Sequence, residues 1–250
     1  MLILENVTKS FPQIPEPVLK SVSLTINKGE YCIILGSNGS GKSTLLKSIS
    51  GEYKIDSGRI LLAGRNITKQ PIHTRAEYIS SVAQDIAKGT IQDMTLLENM
   101  ALSRKRGQKA SYQFYKNQAT SIENDIKMLD LGLEKFLHSN MSSLSGGQRQ
   151  SIATLMALIP EPSLLLLDEH TSALDPRSRE KVMGFTDRYI KQHNLTTLMI
   201  THNIEDAVKY GSRLIIMHHG EVVYDIKRAE KSAITTHKIL EILHEIGEPL

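Results

Sequence analysis

The 250-residue sequence has no tryptophan, and only 5% of its residues are aromatic. Its charge is close to balanced, with 30 Lys and Arg against 27 Asp and Glu. No basic stripe with interleaved aromatics runs along it, so a nucleic-acid partner is not expected. The densest basic run, "SRKRGQK" from Ser103 to Lys109, reads as a solvated loop. The single cysteine, Cys32, excludes an intrachain disulfide framework and fits a reducing compartment. It lies within "YCIILG" and reads as a core strand residue. The longest apolar runs, "LLLLD" and "LIIM", fall far short of the roughly 18 residues of a membrane span. The opening "MLILENVTKSF" carries an acid at its fifth position and lacks the apolar stretch of a signal peptide. Any membrane role is therefore expected to come through a partner. Internal repeats, low-complexity tracts and long linkers are absent from the sequence.

What is present is a set of short apolar runs alternating with helical patterns. Strands are expected at about 2–7, 18–26, 31–35, 59–62, 78–82, 163–167, 197–200, 213–217 and 221–224. "YCIIL", "SLLLLD", "TTLMIT" and "RLIIM" are continuous apolar runs, the pattern of strands covered on both faces. The expected fold class is α/β, with a mostly parallel sheet. "INKGE" and "HHGE" mark tight turns, so an antiparallel β layer is expected as well. From Thr95 to about Ile159 the pattern is helical, with "MTLLENMALS" and "ATSIENDIKMLDLGL". This reads as a helical subdomain at about 90–160, inserted into an α/β core at about 1–89 and 161–250 of a single domain. A short helix at about Thr236 to Ile246 follows the last strand.

"GSNGSGKST", Gly36 to Thr44, follows one of the strands and precedes the helical run "STLLKSISG". This is G-x-x-x-x-G-K-[ST] in the strand–loop–helix context that a P-loop requires. Gly36, Gly39 and Gly41, with Ser37, Asn38 and Ser40 between them, let backbone N–H groups turn toward phosphates. Lys42 supplies a cation to the β- and γ-phosphates, and the Ser43 hydroxyl, followed by Thr44, suits Mg²⁺. A P-loop also needs a carboxylate for Mg²⁺. Asp168 ends the strand "SLLLLD", at the strand end where α/β sheets collect ligands. Glu169 follows it and is suited to orient and polarise an attacking water.

A second phosphate-type site stands a hundred residues later. In "LSGGQ", Leu144 to Gln148, a Ser and two Gly precede an apolar helical run. A helix start of that composition exposes unpaired N–H groups and a positive dipole end to an anion.

The order "GSNGSGKST", Gln84, "LSGGQ", "LLLLDEHTSALD" and "ITHN" resembles the ATPase subunit of ATP-binding cassette (ABC) transporters over nearly the whole chain. The resemblance implies a P-loop NTPase core and the activity of an ATP hydrolase with ATP and Mg²⁺. It also explains the two phosphate sites. In that family two subunits pack head to tail, so Ser145, Gly146, Gly147 and Gln148 would contact the ATP held by the partner's P-loop. The same resemblance gives Gln84 to Mg²⁺ and the attacking water, His202 to the γ-phosphate, and Ser172, Ala173, Leu174 and Asp175 to the loop crossing the dimer interface. It gives Phe11 to stacking on adenine. Glu169, His202, Gln84 and Lys42 are thus the expected catalytic set, with Ser43, Gln84 and Asp168 toward the metal.

Two positions depart from the family pattern. His170 stands where the family usually has Pro, which frees a backbone torsion and adds a titratable group beside the water site; it reads as a tolerated loop substitution rather than a catalytic residue. After "LSGGQRQ" the chain reads "SIATLMALIP", where many members carry an Arg-containing helix. The resemblance further implies a separate membrane permease, docking a short helix on the helical subdomain, with a solute-binding protein. It implies a peripheral location at the cytoplasmic face of the inner membrane. The segments "DEHTSALDP", "LTTLMITHN" and "AVKYGSRLIIMHHGEVV" resemble a bacterial subgroup serving importers of tryptophan, tyrosine or similar small solutes. The alternative is a soluble ABC ATPase acting on ribosomes or DNA. It is opposed by the single cassette, the lack of a heptad run and the lack of a basic groove.

Overall fold

The structure, a computed structural model, describes residues 1–85, 89–107 and 115–247. In chain order its strands are β1 (Leu2–Lys9), β2 (Leu19–Ile26), β3 (Tyr31–Leu35), β4 (Ser57–Leu62), β5 (Arg65–Asn66), β6 (Ile79–Val82), β7 (Leu164–Asp168), β8 (Thr197–Ile200), β9 (Arg213–His218) and β10 (Glu221–Lys227). Its α-helices are α1 (Lys42–Ser50), α2 (Ile72–Arg75), α3 (Leu96–Ser103), α4 (Ala119–Lys127), α5 (Gly146–Leu158), α6 (Pro176–Gln192), α7 (Ile204–Lys209), α8 (Arg228–Ala233) and α9 (Thr236–Glu245). The chain divides into two compact units, Met1–Arg75 with Asn194–Leu250, and Ala76–His193.

The first unit contains an antiparallel sheet in the order β2-β1-β4-β5. In β1, Leu2, Leu4 and Val7 are buried, so the alternation slips by one residue. A register shift between Leu4 and Val7, with Asn6 at φ 48°, absorbs the extra residue and returns Val7 to the buried face. Strand β5 was not foreseen. It is two exposed polar residues on the sheet edge, too short to show periodicity, and it returns from β4 through Ala63 and Gly64, both at positive φ. The same unit holds β3 between β8 and β9, parallel to both, with β10 antiparallel to β9. Every residue of β3 and β8 is buried, as their unbroken apolar runs require.

Several strands extend past the ends expected from the sequence. Strand β10 reaches Lys227 because its polar end is held by charge. Arg213 Nε lies 2.6 Å from Asp225 and its Nη1 3.1 Å from Glu30. Burial works to raise the Asp225 carboxyl, but Arg213 and Lys227 outweigh it and hold the group below the usual carboxylate range. The "HHGE" turn places His219 and Gly220 at φ 44° and 84°, the geometry of a tight hairpin loop.

The second unit contains β6 and β7, paired in parallel, and the helices α3 to α6. The helical stretch expected at about 90–160 lies inside it; the basic run Ser103–Lys109 continues beyond the described residues. Helix α3 opens with a capping box in which Thr95 and Glu98 satisfy each other's backbone amides. Strand β7 runs one residue further than expected and ends on Asp168 itself, which is buried.

Arg75 fixes the C-terminal end of α1. It is 2% exposed, and its guanidinium donates to the carbonyls of Ser48, Ile49, Thr68 and Gln70 at 2.7–3.0 Å. Two of these carbonyls belong to the last turn of α1, where no intrahelical partner exists. Arg75→Ala should lower the unfolding free energy by about 3 kcal/mol or more, because it strands several buried acceptors at once. A urea midpoint within error of the parent would contradict this account of the helix end.

Candidate functional site

The Gly36–Thr44 loop joins β3 to α1 and keeps a backbone path that side chains would block. Gly36 has φ 147°, and a Cβ there would sit 2.1 Å from the Met217 carbonyl oxygen. Gly41, at φ 98°, starts α1 without any side-chain cap, and a Cβ there would sit 2.7 Å from the Val18 carbonyl. The β9–β10 turn braces the loop, since Gly220 N–H donates to the Ser40 carbonyl at 3.1 Å. Lys42 is 7% exposed, and its ammonium donates to the carbonyls of Gly36 and Ser37 at 2.7 and 2.6 Å. Its Nζ also lies 3.4 Å from Ser40 Oγ, while Asn38 and Gly39 are exposed at the loop tip. An uncapped helix start leaves the first amides of α1 without intrahelical acceptors, the requirement for holding phosphate.

In the second unit Asp168 closes β7 and Glu169 stands immediately after it. Glu169 has φ 49°, a left-handed torsion that costs a residue with a Cβ. Its Oε2 accepts a hydrogen bond from Gln84 Nε2 at 3.1 Å, although the two residues lie 85 positions apart. The structure therefore brings together two of the four residues expected to be catalytic. Its carbonyl accepts from Ser172 N–H at 3.0 Å, closing the turn into the "SALD" loop.

The "LSGGQ" segment forms the start of α5. Ser145 is the exposed N-cap; its Oγ accepts from Gln148 N–H at 3.2 Å, and Gln148 Oε1 accepts from Ser145 N–H at 2.8 Å. Gln148 thus spends its side chain on the cap. The N–H groups of Gly146 and Gly147 occupy the first positions of the helix, where intrahelical acceptors do not reach. In the neighbouring loop Ser172 and Ala173 are exposed, while Asp175 caps α6 by accepting from the N–H groups of Arg177 and Ser178, both at 3.1 Å. Hydrogen bonds from the Ser178 hydroxyl and these backbone amides lower its carboxyl pKa.

The outlying positions are equally specific. Phe11 is half-buried, and Tyr53 meets its ring edge to face at 5.2 Å. Lys9 Nζ lies 5.1 Å from the same ring. Tyr53 carries no motif of its own, which is why the sequence did not single it out. His202 is exposed after β8, and the capping of α7 is done instead by Asn203, whose Oδ1 accepts from Asp206 N–H at 2.9 Å. His170 corrects one part of its reading, the titratable group. It is 1% exposed, its Nε2 has no hydrogen-bond partner, and burial, with the Arg179 charge adding, drives its pKa down to about 3. It is a neutral packed ring and does not titrate beside a water site at physiological pH.

On the helical part of the second unit, Met94, Ala101, Leu102 and Tyr115 line a mainly apolar groove of about 260 Å³, together with Glu98 and Lys105. Leu102 is 53% exposed.

A Gly-rich loop bound between a parallel strand and an uncapped helix defines a P-loop nucleotide-binding protein. The family model for the ABC transporter matches residues 19–172. The chain is 42% identical to the tyrosine transport ATP-binding protein of Clostridioides difficile, over 96% of this chain and 98% of that one. It is 34% identical, over 88% of its length, to the spermidine/putrescine import ATP-binding protein PotA of Protochlamydia amoebophila, of which it spans 56%. A solved dimeric ATP-binding cassette in a post-hydrolysis state with ADP and Pi matches with a TM-score of 0.81 at 31% identity, covering 91% of this chain and 98% of that one. The chain belongs to the ABC transporter family and is an ATP-binding cassette ATPase.

The depressed His170 pKa has a signed consequence. The unfolded ring binds a proton below its ordinary pKa of 6.5, whereas the folded ring does so only near 3. The stabilisation is complete above pH 6.5 and is lost as pH falls toward 3, at up to about 1.4 kcal/mol per pH unit. His170→Leu should flatten this part of the stability–pH curve, measured by urea unfolding. Parallel curves for the two proteins would contradict the assignment.

Proposed function

We propose that this chain is the ATP-hydrolysing subunit of an importer of small solutes, working with a separate membrane permease and a solute-binding protein. The observation that carries the reading is the start of α5. A chain that already has a P-loop presents a second helix start, with Ser145 exposed and the Gly146 and Gly147 amides outside the helical ladder. A second copy of the chain, packed head to tail, gives that start an ATP to contact and makes two sites from two halves. ATP then joins the copies because the closed pair binds the γ-phosphate better than the open one, and hydrolysis releases them.

Within this reading Lys42 and the loop amides of Gly36 to Thr44 hold the phosphates, Phe11 stacks on adenine, and His202 meets the γ-phosphate. The oxygen donors Ser43, Asp168 and the Gln84 amide suit Mg²⁺, which prefers hard oxygen ligands. The ion supplies charge neutralisation to the phosphates when bound. Glu169 orients and polarises the attacking water, and Gln84, bonded to it at 3.1 Å, ties that carboxylate to the chain following β6. The loop Ser172–Asp175 meets the partner copy. The apolar groove beside Leu102 receives the permease. The likeness to a tyrosine transport ATP-binding protein supports import of an amino acid or similar solute, with the cassette peripheral to the cytoplasmic face of the inner membrane. Among the described residues no helix is long and apolar enough to cross a membrane, which agrees with a separate permease.

Glu169→Gln should keep ATP binding, reduce turnover by at least roughly a hundredfold, and trap an ATP-bound dimer visible by size-exclusion chromatography. Turnover at the parental rate would remove Glu169 from this role. Ser145→Arg should bind ATP normally as a monomer and fail to dimerise with it; ATP-dependent dimers of that variant would refute the shared site. Tagged Glu169→Gln held in ATP should recover a polytopic membrane protein from native membranes. Recovery of ribosomes or nucleic acid instead would overturn the transport assignment.

A further inference from the structure

Gln150 stands two residues past "LSGGQ" and is given no role by the site motifs, yet it is 1% exposed and both ends of its amide are used. Its Oε1 accepts from Ala173 N–H at 2.9 Å, and its Nε2 donates to the Glu169 carbonyl at 3.4 Å. These two groups are the ends of the turn that leaves β7. A Gln side chain offers one acceptor and one donor group fixed in a plane, so holding both ends sets the width of that turn. The residue held at one end is Glu169, a non-glycine residue in the left-handed region at φ 49°. Strain of this kind persists only where the surroundings over-determine it.

Gln150 also sits on α5, whose first turn is formed by Gly146 to Gln148. That first turn touches the same loop. A Cβ on Gly147 would lie 3.0 Å from the Ala173 carbonyl oxygen and 3.1 Å from Leu174 Cδ2. The helix start and the Glu169–Ala173 turn are thus joined twice, once by close backbone packing and once by the Gln150 amide.

We propose that Gln150 is a positioning residue that fixes the Glu169 backbone and links the carboxylate's aim to the position of α5. The inference rests on the reading of Glu169 as the group that polarises water. A displacement of α5, such as that produced when its N-terminus takes up a phosphate held by a second copy, passes through Gln150 to Glu169.

The test uses the full-length protein with steady-state ATPase, ATP affinity and thermal midpoint measured together. Gln150→Met removes both hydrogen bonds at similar volume. It should lower kcat roughly ten- to a hundredfold with ATP affinity unchanged, the mark of a misplaced group rather than lost binding. Gln150→Glu keeps an acceptor for Ala173 but sets a second acceptor against the Glu169 carbonyl, so it should also slow turnover, with a lowered thermal midpoint because the new carboxylate is buried. In a Glu169→Gln background, adding Gln150→Met should cause no further loss, because its effect passes through the missing carboxylate. Full additivity would mark Gln150 as a general packing residue and overturn the proposal. Parental kcat in both Gln150 variants, with Glu169→Gln inactive, would overturn it while leaving the Glu169 reading in place. Parental turnover in Glu169→Gln would remove both.

Discussion

Helix α1 starts at a residue that cannot cap it, and much of the first unit is arranged to keep that start open. Most helices cover their first amides with a Ser, Thr, Asp or Asn side chain. Gly41 offers none. The loop that precedes it is kept in place from outside, by the Met217 and Val18 carbonyls that leave no room for a Cβ and by the Gly220 amide on Ser40. These contacts come from β9, from the residue before β2 and from the β9–β10 turn. A site for phosphate therefore depends on strands far from it in sequence. Lys42 supplies the charge, and its bonds to the Gly36 and Ser37 carbonyls keep the ammonium inside the loop.

Helix α5 solves the same problem differently. Its capping box uses the Gln148 amide and the Gln148 side chain, so the helix is well started without consuming the two glycine amides. One helix start is open because it lacks a cap. The other is open at Gly146 and Gly147 although its cap is complete. The second arrangement suits contact with a phosphate already held elsewhere, because the helix is stable on its own and presents its charge at the surface.

The parts of this molecule legible in the sequence were those with local cause. The P-loop, the buried strands β3 and β8, and Asp168 at the end of β7 follow from spacing and apolar runs. The order of motifs carried the family resemblance. What escaped were relations between distant residues. The Gln84 contact with Glu169 was expected only as a shared role, and its direct hydrogen bond depends on how β6 and β7 pair. Tyr53 against Phe11 and Gln150 across the Glu169 turn leave no periodic trace. His170 was read as a tolerated loop substitution that adds a titratable group, and burial removes only the titration. Burial of one ring is a property of packing, which no single-residue signal encodes.

The His170 position also explains why the turn after Glu169 needs a grip from α5. A Pro at this position would push the residue before it toward extended torsions by steric contact, away from the φ of 49° that Glu169 adopts. His170 imposes no such limit. In this chain the Glu169 torsion is held by hydrogen bonds, from Ser172 N–H and Gln150 Nε2 onto one carbonyl. A restraint made of hydrogen bonds can be loosened by a small displacement of either partner, whereas a ring closure cannot. With His at this position, the backbone that carries the carboxylate is held both within its own turn, by Ser172 N–H, and from the helix that begins at Ser145, by Gln150.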